Sequence, residues 1–136
     1  MTWDDVYTAA KKVVKPRMLS PWADCGGVGA ALVTEAGSLY TGVCIDTSCS
    51  MGFCAEHAAA AAMITAGEQR VLMMVAVGSE GEIMAPCGRC REFISQLHRD
   101  NIRTNVLLPG QRVVTLAELL PEDWKVETLE HETRKD

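Results

Sequence analysis

The chain has 136 residues, 48% hydrophobic and 23% charged, with a formal net charge of -5. That length fits one domain, whose core can dispense with disulfide staples. The acidic balance argues against a polynucleotide partner, since Lys11, Lys12, Lys15 and Arg17 are the only local basic group. No apolar run approaches the roughly 20 residues that span a membrane.

The start, Met1 to Asp5, is acidic and does not read as a secretory signal. It predicts a cytoplasmic chain with reduced thiols, where six cysteines point to metal binding or catalysis before disulfides. Helix one is predicted from Trp3 to about Val14, capped by Thr2 with Asp5 three residues on and ended by Pro16. Its apolar residues Trp3, Val6, Tyr7, Ala10, Val13 and Val14 recur at helical spacing.

After a loop through Ser20-Pro21-Trp22, Val28–Thr34 and Leu39–Ile45 read as a hairpin turned by Glu35-Ala36-Gly37-Ser38. Asp46 to Phe53 reads as loop. Cys54 then opens an alanine-rich helix that Gly67 stops. Arg70–Val77 is a continuous apolar run, the pattern of a strand buried on both faces. A loop with Gly78, Gly81 and Pro86 leads into a helix from Cys87 to about Arg99.

Thr104–Leu108 is a fourth strand and Arg112–Val114 a fifth. Thr115 with Glu118 caps a short helix through Leu120. Residues 1–124 are expected to form the domain, and the charged residues 125–136 a loose tail. Each of two helices follows one strand and precedes another, which predicts parallel β-α-β pairing beside the antiparallel hairpin. The fold class is α/β, a mixed sheet with helices on its faces.

Two segments carry chemistry: Cys54-Ala55-Glu56 and Pro86-Cys87-Gly88-Arg89-Cys90. Both stand where a strand has ended and a helix begins, at the sheet edge where ligands bind. Zinc held by Cys54, Cys87 and Cys90 keeps one position for water and lowers its pKa. Glu56 starts a helix two residues beyond a ligand, so it is the candidate general base and then general acid. The alternative is a closed structural site with Cys49 as fourth ligand; Cys49 to Cys54 is too wide for a structural Cys pair. Cys25, Cys44 and Cys49 read as small buried hydrophobes.

The pattern C-A-E followed by P-C-x-x-C is the three-cysteine form of the zinc deaminase signature. From about Ser20 to Trp124 the chain resembles the small cytidine deaminases and, in places more nearly, the blasticidin S deaminases. Val28-Gly29-Ala30-Ala31-Leu32, Tyr40-Thr41-Gly42-Val43 and Ala117-Glu118-Leu119-Leu120-Pro121 share the resemblance.

The resemblance implies a three-layer α/β/α fold with a five-stranded mixed sheet. It also implies one zinc per chain, a homotetramer, and hydrolytic deamination of a free cytosine nucleoside. In that mechanism Glu56 carries a proton from water to the ring nitrogen and later to ammonia.

Further expectations rest on the same resemblance. Ala55 and Gly26 fall at the substrate pocket, with Gly26 standing where relatives place Phe and leaving more room. Asp46, within Cys44-Ile45-Asp46-Thr47 where relatives carry N-V-E-N, is an acceptor for a sugar hydroxyl or a plain turn residue. His57 stands where relatives often place an Arg that neutralises the thiolates, and Arg91 is expected to share that role. Trp124 either closes over the substrate or simply packs. The alternative functions are a modified cytosine nucleoside as substrate, an inactive zinc-stabilised binding module, and deamination within a polynucleotide.

Overall fold

The computed structural model describes residues 1–128. α1 (Trp3–Val13) starts on the predicted cap, with the Thr2 hydroxyl and Asp5 carboxylate each taking the other's backbone amide. The chain then adds β1 (Arg17–Ser20), β2 (Ala23–Thr34) and β3 (Leu39–Thr47). α2 (Ala55–Thr65), β4 (Val71–Gly78), β5 (Ile83–Met84), α3 (Gly88–Leu97), β6 (Asn105–Leu108) and β7 (Arg112–Thr115) follow.

The core of the sheet is β3-β2-β4-β6-β7, the five strands expected. Two short strands raise the total among the described residues to seven: β1 pairs with β2, and β5 with β4. Four and two residues are too few to show a periodicity, so sequence pattern gives loop at both. Parallel pairing holds for the second crossover, β4-α3-β6. The first crossover differs from expectation: β3 and β4 run parallel but flank β2, which pairs antiparallel with each. Pattern gives strand direction but not which strand is inserted between two others.

Alternation along the central strands supplies both faces of the sheet. Ala31, Val33, Val75 and Val77 pack with Val6 and Ala10 of α1. Leu32, Met74 and Val106 face Ala59, Ala60 and Met63 of α2 and Ile94 of α3. The result is three layers, α/β/α.

α2 lies very close to the sheet. A methyl group at Gly42 of β3 would stand 2.4 Å from the Ala59 amide nitrogen. Glycine on the strand and alanine on the helix therefore set the height of α2, and with it the position of Cys54 and Glu56.

Thr115 and Glu118 exchange the expected capping hydrogen bonds, but they cap only a 3-10 turn at Ala117–Leu119. Of the charged tail, Lys125 is tied to Glu92 of α3 and to Asp123. Residues 129–136 lie outside the described residues. Among those described, no helix is long and apolar enough to cross a membrane.

Candidate active site

Both chemistry-bearing segments sit at helix starts. Cys54 and Cys87 are the last extended residues before α2 and α3, at φ/ψ of -73/160° and -66/165°. At Cys87 the first-turn amides of Arg89 and Cys90 face the sulfur and favour thiolate. Cys54 Sγ and Cys87 Sγ are 3.5 Å apart, and Cys87 Sγ and Cys90 Sγ are also 3.5 Å apart.

The three sulfurs form a group that can hold one cation. A tetrahedral zinc with Zn–S near 2.3 Å places its sulfurs about 3.8 Å apart, so the donor set fits zinc after a small outward shift. Among the described residues Cys49 stands outside this group. It is exposed, with a left-handed φ of 63°, which corrects its expected burial.

Glu56 is 4% exposed, which is unusual for a carboxylate. Burial pushes its pKa up, and its own amide and the Cys90 thiol pull it back partway. A carboxyl group raised in this way is suited to both accepting and returning a proton near neutrality. Burial raises Cys54, with the Cys87 thiol adding to it. Burial also raises Cys90, helped by the charge of Glu56. Cys87 differs: burial works against its thiolate, but the Cys90 amide and thiol, the Cys54 thiol and the Arg89 amide outweigh it and lower the pKa.

Cys54, Cys87 and Glu56 line a cavity of about 560 Å³, while Cys90 is wholly buried and does not reach it. Ala55, wholly buried, and Asp46, exposed at the rim, both line it. Cys44 lines it too; this thiol is half-buried, and its Sγ accepts the Val28 amide at 3.3 Å.

Three assignments are corrected by position. Gly26 is not at the cavity: with φ of 84° it turns toward the end of α1, where its carbonyl accepts the Lys15 amide. A Cβ there would lie 2.1 Å from the Lys15 carbonyl oxygen, so no larger side chain fits. Val28, two residues on along β2, lines the cavity instead.

Arg91 does not face the thiolates. Its Nε donates to the Pro86 carbonyl at 2.8 Å and Nη1 to the Leu119 carbonyl at 3.5 Å, which braces the turn before Cys87. The guanidinium bordering the cavity is Arg89, which sequence reasoning passed over within P-C-G-R-C.

Trp124 does not close over this cavity within the chain. It lies beyond α3, 58% exposed, with Nε1 donating to Glu92 Oε1 at 2.5 Å. His57 lies behind the sulfurs, with Nδ1 3.4 Å from Cys90 Sγ and its ring stacked on Phe93. Burial and the charge of Arg89 lower its pKa. Phe53 and Met84 complete the apolar wall; no residue pattern singled them out, because loop residues and a two-residue strand carry none.

Comparison with known proteins gives consistent results. Residues 4–106 match the family model described as the cytidine and deoxycytidylate deaminase zinc-binding region. The chain is 30% identical over 108 residues to a cytidine deaminase of Mycobacterium tuberculosis, covering 79% of each. It is 32% identical over 107 residues to a cytidine deaminase of Sporosarcina psychrophila, covering 76% of this chain and 79% of that one.

Among solved structures, cytidine deaminase from Mycobacterium leprae superposes with a TM-score of 0.76 at 27% identity, over 90% of this chain and 99% of that one. Cytidine deaminase from Burkholderia pseudomallei gives 0.74 at 28%, over 91% and 100%. Match length, sulfur geometry and fold agree, and this chain belongs to the cytidine and deoxycytidylate deaminase zinc-binding family.

Proposed function

We propose that this protein hydrolytically deaminates the cytosine ring of a free nucleoside, cytidine or deoxycytidine, to the uracil nucleoside and ammonia. The observation that carries this reading is a buried carboxyl, Glu56, beside three converging sulfurs, with Glu56, Cys54 and Cys87 lining one cavity. Zinc held by Cys54, Cys87 and Cys90 supplies Lewis acidity that turns water into a nucleophile near neutral pH.

Glu56 does the proton work. It takes a proton from the attacking water and passes it to the ring nitrogen beside the amino-bearing carbon. A second proton follows to the amino group as it leaves. Ala55 and Val28 give the flat ring an apolar bed. Asp46, exposed at the rim, accepts a sugar hydroxyl.

A modified, larger cytosine nucleoside, blasticidin S included, is the second reading. It is favoured by a cavity wall built from Cys44 and Asp46 where relatives carry N-V-E-N. The net charge of -5 favours a free nucleoside over a polynucleotide. Cytoplasmic residence and a homotetramer complete the proposal. Exposed Met18, Trp22 and Met51, each at least 70% accessible, support self-association.

The test is ammonia release by the zinc-loaded protein from cytidine, deoxycytidine, methylated and acylated cytidines, and blasticidin S. Turnover of any of these supports the deaminase reading, and the preferred compound names the substrate. Zinc bound at one per chain with no release across the panel favours a zinc-stabilised binding module instead.

A further inference from the structure

A second cavity, of about 500 Å³, lies on the α1 face of the sheet, across from the sulfurs. Trp3, Asp4 and Tyr7 of α1 line it, as do Glu82 and Ile83 where the chain enters β5. Leu107 and the turn from β6 to β7 complete it. The Tyr7 hydroxyl donates to the Gly81 carbonyl at 2.5 Å, which ties α1 to the turn before β5.

This volume and make-up suit a small molecule: rings and aliphatic side chains with a few polar groups. Trp3 and Tyr7 are half-buried, and the π faces of such rings attract cations. Asp4 and Glu82, both exposed, add two carboxylates from separate elements. Glu82 Oε1 accepts the Glu80 amide at 3.2 Å. Among the described residues no lysine, arginine or histidine lines the cavity. Lys11 reaches Gly81 but is not part of the lining. The charges here call for a cation, and the rings with Ile83 and Leu107 call for a flat apolar body behind it.

Strand β5 links this cavity to the first. Successive residues of a strand point to opposite faces. Ile83 lines the second cavity, and its cross-strand partner Val77 packs in the core on the α1 side. Met84 lines the first cavity together with its own partner, Ala76. A ligand wedged between α1 and Ile83 presses β5 toward the first cavity, with Met84 leading.

We propose that the second cavity is a regulatory site for an organic cation with a flat aromatic body, and that filling it narrows the active cavity by displacing β5. The proposal goes beyond the deaminase reading: binding is independent of that reading, and only the effect on turnover rests on it.

The probe is tryptamine, an aromatic ring with an ammonium group, compared with tryptophol, which has the same shape and no charge. Calorimetric titration of the zinc-loaded protein should show tryptamine binding about tenfold more tightly than tryptophol, the worth of a charge-assisted contact. Asp4→Asn with Glu82→Gln should remove that advantage. Trp3→Leu, which keeps both carboxylates, should weaken tryptamine about threefold and serves as the second variant if the double one does not fold. The amide signals of Ile83 and Met84 should shift as the site fills. The KM for cytidine should rise about fivefold in saturating tryptamine, and not in the double variant.

No binding, or equal binding of the two probes, overturns the site. Tryptamine affinity unchanged in both the double variant and Trp3→Leu also overturns it, because the probe then sits elsewhere. An unmoved Met84 signal with the site filled overturns the link through β5. A chain that turns over no nucleoside would still report binding and the β5 shift, so the two readings fail separately.

Discussion

The two sides of the cavity are built differently. On the metal side, Cys54, Glu56, Cys87 and Cys90 stand on the starts of two helices, and Glu56 and Cys90 are almost wholly buried. On the opposite side, Asp46, Thr47 and Ser50 come from the end of β3 and the turn after it, where Cys49 and Ser50 take left-handed φ values of 63° and 57°. The first side is fixed by packing and tolerates little change. The second is an exposed loop, the kind of segment in which substrate preference varies without loss of the fold.

The largest expected effect that separates the two sides is on turnover. Glu56→Gln should bind zinc at one per chain and lose about a hundredfold to ten-thousandfold in kcat, since only the proton carrier is removed. Steady-state rates with metal analysis check this, and a substantial residual rate takes Glu56 out of the mechanism.

Next in size is an effect on the scaffold of the metal side. Gly42→Ala forces a methyl group against the α2 backbone and should cost about 1–3 kcal/mol of stability. A denaturant titration measures it, and zinc retention should fall along with it, because α2 carries Cys54.

Asp46→Ala sharpens the contrast from the other side. Its KM for cytidine should rise about tenfold, the worth of one hydrogen bond to a charged group, with kcat, zinc content and stability unchanged. A loss of zinc in this variant would blur the distinction between the two sides.

The smallest effect is expected away from both. Glu92 is held at a pKa of about 2 by the hydrogen bond from Lys125 and then by Trp124. Its folded pKa is depressed, so its contribution is full above the unfolded carboxyl value. That contribution fades as pH falls toward 2. Glu92→Gln should therefore cost about 0.5 kcal/mol near neutrality, as half-exposed ion pairs do, and nothing in strong acid. Thermal melts across the pH range read the difference, and turnover should not move.

The metal side was legible in the sequence because its geometry is local. In P-C-G-R-C, three residues of separation and a helix start place Cys87 beside Cys90 without reference to the rest of the chain. The five core strands were legible for the same reason: their apolar runs are long enough to show a period. Residues whose direction depends on distant contacts were misplaced. Gly26 turns away because a bulge in β2 directs it at the end of α1. Arg91 and Arg89 are two residues apart on one helix, and only the docking of Pro86 and Leu119 on Arg91 leaves Arg89 at the cavity.

Residue types and spacings alone determined the α/β class, the thiolate donor set and the carboxyl placed to serve it. These follow from helix geometry and ligand chemistry, which act over a few residues. Tertiary packing decided that β2 lies between β3 and β4, that His57 meets Cys90, and that Trp124 lies on α3 rather than over the cavity. Such outcomes are set by contacts between segments far apart in the chain, where small differences in packing energy choose among arrangements that local pattern permits equally.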